Sequence, residues 1–469
     1  MFINRNIFIV AFLLLAGCVQ VPRDGDFSTV KDLAAERIPQ TIHWYQGGPE
    51  DERVKTVLGD LLMKPLTAQS AVQIALLNNY SLQAEYEKLG VAQADLVQAG
   101  MLSNPVLFSS IRFPKGGKGG NNIEFEIAKE FLDVLLRPAR QRVAGTEFER
   151  VKLQVTNVIL GLVKDVQSAY YQVQGANQLL KINGAAKEAA LLTQELAEQF
   201  NQSGNISELR LAHEYSAVAE TSAEYLRAGL ELQKVRDELN SLMGLSGIAR
   251  DWSLAQDLPG LPISDPDIAQ LEEKALTRRL DLVAARYEVQ QLEYALEMTR
   301  DYRWIGGASI GINTERDPDG SRLTGPNFSI EIPVFDQRQA EIAKIESLLA
   351  QSKSRMEALE ALIRNEVYAA MNRVSATRSI TEHYRDELIP AREQVVKFTQ
   401  QYQNYMLADI FELLYAHQQQ TQAYRGYIET LTDYWIARTG LAHAAGAGLP
   451  EIENTSLSYN DKGNHQEEN

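Results

Sequence analysis

With 469 residues, 23% of them charged and only 30 glycines and 15 prolines, the chain excludes global disorder. A formal net charge of −16 excludes nucleic acid as the main partner, because phosphate binding needs a basic face. The length leaves room for one large core or for two to three ordinary domains.

The N-terminus reads as an export signal over residues 1–17. MFINRN supplies one positive charge, and the apolar run Ile7 to Leu15 falls short of the roughly 20 residues that a membrane span needs. The run ends in Leu15-Ala16-Gly17-Cys18, which resembles the lipobox of bacterial lipoproteins: small residues fit the signal peptidase and the Cys18 thiol accepts the lipid. Cys18 is the only cysteine, so a mature chain starting there has no disulfide. Residue 19 is Val and not Asp, which by resemblance to lipoprotein sorting directs the chain to the outer membrane. Acyl chains would hold it there, each buried CH₂ contributing about 0.8 kcal/mol.

Residues 18–65 contain Pro22, Pro39, Pro49 and Pro65 and no sustained period, and predict an extended, lipidated linker with local turns. From Leu66 the pattern is helical and falls into two similar halves, 66–246 and 267–446, joined by a linker at 247–266 and followed by a polar tail at 447–469. ALLNNYSLQAEYE from Ala75 aligns with ALTRRLDLVAARYE from Ala275, and Leu239 aligns with Leu441, so the offset stays near 200 positions. Each half runs short helix, helix, hairpin, long helix, turn, long helix. Val151, Val155, Val158, Leu162, Val166, Ala169 and Val173 step by three or four, as do Met356, Leu359, Ile363, Val367, Ala370 and Val374. Helices over about 134–200 and 337–400 would each be roughly 100 Å long at 1.5 Å per residue. Pro390 should kink or break the second.

Between the helices lie two hairpins, 105–131 and 306–334, with period two. Asn122 to Glu130 sets Ile123, Phe125 and Ile127 against Glu124, Glu126 and Ala128. Gly307 to Thr314 sets Ala308, Ile310 and Ile312 against Ser309, Gly311 and Asn313; Asn327 to Ile332 sets Phe328, Ile330 and Ile332 against Ser329 and Glu331. Pro105 to Phe113 is a less regular fourth strand. The loops 114–121 and 315–325 are polar and glycine-rich, as expected at a cell surface. After a lipidation signal, one apolar and one acidic face match a transmembrane barrel with lipid outside and water inside. Four strands cannot close such a barrel alone, because open edges would leave unpaired backbone groups in lipid.

Two polar interruptions break the helical rhythm at matching places, Glu198 to His213 and Gln401 to Ala416. Ser207 and Asp409 stand where an N-cap belongs, a role worth about 1 kcal/mol. The six histidines are scattered without metal-ligand spacing, and no Ser, Cys or Thr nucleophile has a base at a recognisable spacing. The chain therefore reads as a protein without catalysis, metal or cofactor beyond a covalent lipid on Cys18.

Taken in order, LTAQSAVQIALLNNYSLQAEYE from Leu66, LSNPVL from Leu102, EIPVFDQRQAEIA from Glu331, ELIPAREQ from Glu387 and the paired turns resemble the TolC family of outer-membrane efflux factors. LSNPVL is most similar to the heavy-metal efflux branch, with Ser103 where that branch has the first proline of Pro-Asn-Pro. The resemblance implies a mainly α fold with a β-barrel portion. Three chains would supply twelve strands to one barrel and long coiled-coil helices to a periplasmic α-barrel. It implies a passive exit duct that works with a periplasmic adaptor and an inner-membrane pump of the proton-driven resistance-nodulation-division type. Carried onto this chain, the gate candidates are Glu208, Asp409 and Glu412. The adaptor-contacting tips are Phe200, Gly204, Asn205, Ser207, Tyr402 and Met406. Asp409 reads first as a cap and second as a gate. Met406 stands where the family commonly has glycine, which should alter the second turn. A lipid-anchored coiled-coil scaffold without a pore is the alternative.

Overall fold

The computed structural model describes residues 21–113, 115, 120–247, 251–265 and 268–446. The signal segment, Cys18, most of the 114–121 loop and the polar tail lie outside the described residues. Helices α1 (Phe27–Ala35), α2 (Pro49–Leu62), α3 (Ala68–Asn78) and α4 (Tyr80–Ala99) lead into strands β1 (Val106–Arg112) and β2 (Asn122–Glu130). Helices α5 (Leu132–Gln202) and α6 (Glu208–Leu242) complete the first half. The second half repeats the order as α7 (Ile268–Arg278), α8 (Leu280–Asp301), β3 (Ala308–Arg316), β4 (Arg322–Ile330), α9 (Gln339–His383), α10 (Ile389–Asn404) and α11 (Ile410–Ala444). By contacts the chain divides into two units. One comprises Met1–Val30, Glu85–Val155 and Leu280–Leu359; the other comprises Lys31–Ala84, Thr156–Arg279 and Glu360–Asn469.

The first unit holds the sheet, four antiparallel strands in the order β1-β2-β3-β4. Register places Leu107, Ile127, Ile312 and Pro326 in one row across it, and Ile310 opposite Phe328. Two expectations are corrected here. The last strand is Arg322–Ile330 and not 327–332, and the second hairpin loop shrinks from 315–325 to 317–321. Thr314 and Thr324, paired in register, share a hydroxyl hydrogen bond of 2.9 Å, and Asp317 N donates to Ser321 O at 3.0 Å. Pairing thus carries the strand through Gly325 and Pro326, two residues that argue against a strand when met in sequence.

The N-terminal stretch is also not extended throughout. In the first unit, the Phe27 ring packs edge-on to Tyr86 at 4.9 Å, and the buried Lys152 reaches Asp26 at 2.8 Å and Glu149 at 2.7 Å. In the second unit, Ile38, Ile42 and Trp44 are buried, and α2 starts at Pro49 behind an Asp51 carboxylate that accepts from Gly47 N at 2.7 Å. Helices of nine and fourteen residues are marginal in isolation, and tertiary burial holds them.

In the second unit, Leu239, Met243, Ile363, Val367, Val374 and Tyr434 form part of the core. Thr67 and Ser70 cap α3 reciprocally, Thr67 Oγ1 accepting from Ser70 N at 3.0 Å and Ser70 Oγ from Thr67 N at 2.8 Å. The described part of the linker between the halves is docked. Leu66 N donates to Ser253 O at 2.7 Å, and Trp435 Nε1 donates to Pro259 O at 2.7 Å.

The break expected at Pro390 is a π-helical turn, Tyr384–Leu388, with Pro390 in the first turn of α10, where its missing N–H is harmless. Before this turn Val166 and Val367, or Val173 and Val374, are 201 positions apart; after it Gly204 and Met406, or Leu239 and Leu441, are 202 apart. The π turn lies where the second half gains one residue, which is what a π bulge accommodates inside an α-helix.

Candidate functional site

The sheet has two chemically distinct faces. Leu107, Ile111, Ile123, Phe125, Ile127, Ile310, Ile312, Phe328 and Ile330 share one face by register, and most are exposed. On the other face three carboxylates of the two central strands each meet an amide. Asn313 Nδ2 donates to Glu124 at 2.8 Å, Asn327 Nδ2 to Glu126 at 2.5 Å and Asn122 Nδ2 to Glu315 at 2.7 Å. Gly311 makes this possible: a Cβ there would collide with Asn327 Oδ1 and lie 2.6 Å from the Ile127 carbonyl. The irregularity of β1 is Phe108, which sits on the polar face opposite Glu126. Sequence reading missed the three asparagines as partners of the glutamates; their signal was the strand alternation that placed them on the acidic side.

The two helical turns lie in the second unit and have the same backbone. At the first, Gly204 has φ +74°, Asn205 N donates to Phe200 O at 2.8 Å and Gly204 N to Asn201 O at 2.9 Å. At the second, Met406 has φ +59°, Leu407 N donates to Tyr402 O at 2.8 Å and Met406 N to Gln403 O at 2.9 Å. Both are Schellman-type ends. Met406 therefore does not alter the turn, contrary to expectation; it adopts the left-handed conformation at a cost of roughly 1–2 kcal/mol. Its side chain is 94% exposed. Met406→Gly should stabilise the helical portion by about 1 kcal/mol in chemical denaturation.

The caps differ. Ser207 Oγ accepts from Arg210 N at 3.3 Å, a true side-chain cap. Asp409 occupies the cap position, with its carbonyl accepting from Glu412 N at 3.1 Å, but its carboxylate makes no cap hydrogen bond. The first reading of Asp409 as a side-chain cap is thereby corrected. Ser207→Ala should cost about 1 kcal/mol, while Asp409→Ala should change stability by no more than about 0.5 kcal/mol through the helix dipole; urea midpoints of the two variants check this.

Asp409, Glu412 and Glu208 are all exposed, Asp409 at the cap of α11 and the two glutamates in the first turns of their helices. Asn205, Tyr402 and Met406 are exposed as well, and Phe200 is half-buried. Two contacts that sequence reading missed join the hairpins. The Arg210 guanidinium lies 4.1 Å from the Phe411 ring centroid, and Arg425 Nη2 lies 2.6 Å from Glu224 Oε2. Between them is a groove of about 370 Å³ lined in part by Ala190, Thr193, Leu414 and His417. Hydrogen bonds from Gln194 and Tyr215 hold the Glu198 carboxyl below its ordinary range, so it is charged at neutral pH. Among the described residues no group of three His, Cys, Asp or Glu could hold a metal, and no helix is long and apolar enough to cross a membrane.

No family model matches the chain. Over 334 residues it is 22% identical to the cobalt-zinc-cadmium resistance protein CzcC of Cupriavidus metallidurans, covering 70% of this chain and 78% of that protein. The structure superposes on the CmeC outer membrane channel of Campylobacter jejuni with a TM-score of 0.70 and 14% identity, covering 81% of this chain and 85% of that one. It superposes on a membrane protein from Pseudomonas aeruginosa with a TM-score of 0.69 and 18% identity, covering 81% and 93%. The fold is that of a bacterial outer-membrane channel. Within that class, the resemblance to the TolC family of outer-membrane efflux factors is borne out, and the chain has that family's fold.

Proposed function

We propose that the chain is the outer-membrane exit duct of a tripartite efflux system. It is a homotrimer, held additionally by lipid on Cys18, opened by a periplasmic adaptor at its helical tips and energised by an inner-membrane pump of the resistance-nodulation-division type. The observation that carries this reading is the sheet. One face is apolar and exposed, the other is an amide–carboxylate ladder, and β1 and β4 are unpaired edges among the described strands. Such a sheet is stable in a bilayer only when copies close it into a barrel with the ladder facing water.

Exposed carboxylates at the tips, repeated by three chains, support a ring that filters charge as the tunnel opens. Planar-bilayer recording of the purified protein should show a defined, mostly closed pore. Asp409→Ala with Glu412→Ala should raise its open probability. A protein that conducts nothing, with or without these changes, is the result that sinks the duct. The relative's link to cobalt, zinc and cadmium resistance makes divalent metal cations the first cargo to assay.

A further inference from the structure

Beside the linker between the halves lies a groove with an uncompensated cation. In the second unit, Asn177 and Lys181 of α5, Arg236 of α6 and residues 252–257 of the linker enclose about 490 Å³. One buried indole sets its geometry. Trp252 is 5% exposed and donates through Nε1 to Asn240 Oδ1 at 2.8 Å, which fixes its ring. Arg236 is held on it twice: the guanidinium carbon lies 3.9 Å from the ring centroid, and Nη2 donates to the Trp252 carbonyl at 2.8 Å.

A guanidinium has five N–H donors, and on Arg236 only the one to Trp252 has a partner among the described residues. Burial pulls its pKa down, and Asp251 and Asp237 oppose this only from beyond ion-pair distance. In a chain of net charge −16, a half-buried arginine with no carboxylate against it among the described residues is out of keeping. A pre-oriented fork of this kind is suited to receive a carboxylate from outside. The facing cation, Lys181, is held by Asp257 at 3.1 Å with side chains 62% and 59% exposed, so a ligand carboxylate can replace that pair at small cost.

The groove also has a backbone edge. Leu66 and Leu254 form a parallel bridge, in which Leu66 N donates to Ser253 O at 2.7 Å and Ala255 N to Leu66 O at 2.9 Å. The N–H and C=O of Leu254 therefore point away from Leu66, and neither has a hydrogen-bond partner among the described residues. An extended segment bonded on one edge and open on the other can pair with one more strand.

We propose that this groove docks an extended acidic peptide segment of a partner protein, whose backbone pairs with the Leu254 edge and whose carboxylates meet Arg236 and Lys181. The inference goes beyond the duct proposed above and does not rest on it. Alternate side chains of an extended peptide lie on one side about 7 Å apart, so two acidic residues separated by one other present both carboxylates together. A free anion would use the cations and leave the edge idle.

Fluorescence anisotropy on the full-length protein in detergent tests the site, with a labelled hexapeptide that alternates glutamate and valine. This peptide should bind. Two probes of the same length should not: one with glutamine in place of glutamate, and one methylated on its backbone nitrogens. Arg236→Gln should weaken binding by at least about tenfold, as expected for a charge-assisted hydrogen bond. Lys181→Gln should weaken it about threefold, and Asp257→Ala should tighten it by about as much, because it frees Lys181. Both of these side chains are exposed, so the pair keeps the test informative if Arg236→Gln disturbs the Trp252 stack. A purely structural role would not give opposite signs at the two ends of one ion pair. Equal affinity for the glutamate and glutamine peptides, or an affinity unmoved by Lys181→Gln and Asp257→Ala, overturns the proposal. Displacement of the peptide by an equal concentration of inorganic phosphate would show a site for free anions and overturn the peptide as its occupant.

Discussion

Asp265→Ala should lower the stability of the helical portion by about 3–5 kcal/mol, the penalty for leaving the buried Arg438 guanidinium without its anion, while Arg378 keeps Glu382 at 2.9 Å. The Asp265 carboxylate accepts from Arg438 Nη1 at 2.6 Å, from the Tyr434 hydroxyl at 2.7 Å and from Arg378 Nη1 at 3.0 Å. The side chains of Asp265, Arg438 and Arg378 are 11%, 9% and 19% exposed, so water cannot replace the lost partner. Burial pushes the Tyr434 phenol far up, so that it stays a neutral donor to the carboxylate. Arg378 also donates to the Pro262 and Ile263 carbonyls, and through it the network clasps the linker between the halves to α9 and α11. The control is Asp257→Ala, eight residues upstream, whose pair with Lys181 is more than half exposed on both sides and should be worth about 0–1 kcal/mol. Loss of helical circular dichroism in guanidinium measures both. Equal midpoints for the two variants would show that the clasp contributes no more than a surface pair.

That clasp also marks where sequence reading stops. Asp265 has no motif; it acquires its role from Arg378 and Arg438, more than 100 positions away, which no local pattern connects. The long helices were legible because dozens of residues repeat one period, and β2 because its alternation is unbroken from Asn122 to Ile127. Strand β4 was misplaced because Gly325 and Pro326 are breakers in sequence and are overruled only by pairing with β3. The tips were legible as positions through the matched halves, yet their chemistry was not. Whether a residue in the cap position uses its side chain depends on a rotamer, and Ser207 and Asp409 resolve that choice differently. Met406 shows the same limit, since the turn fixes φ and the residue bears the strain.

Ile312→Arg should prevent stable insertion of the sheet into a bilayer, whereas Asn313→Arg, one position on, should not. Ile312 is the fifth of nine residues in β3 and lies in the row Leu107, Ile127, Ile312, Pro326 on the exposed apolar face. A guanidinium at the bilayer midplane costs about 2–4 kcal/mol per chain in a transmembrane barrel, and a closed trimer would carry three of them. Asn313 points to the opposite face, where its amide meets Glu124, so an arginine there stays beside a carboxylate and in water. Its effect should appear in the pore and not in assembly, as lower conductance and weaker preference for cations. Protease protection after reconstitution into liposomes reads insertion, and single-channel recording reads the lumen. If Ile312→Arg inserts normally and Asn313→Arg does not, the faces are assigned the wrong way round. If neither change affects insertion, the sheet does not face lipid at all, and the barrel reading fails with it.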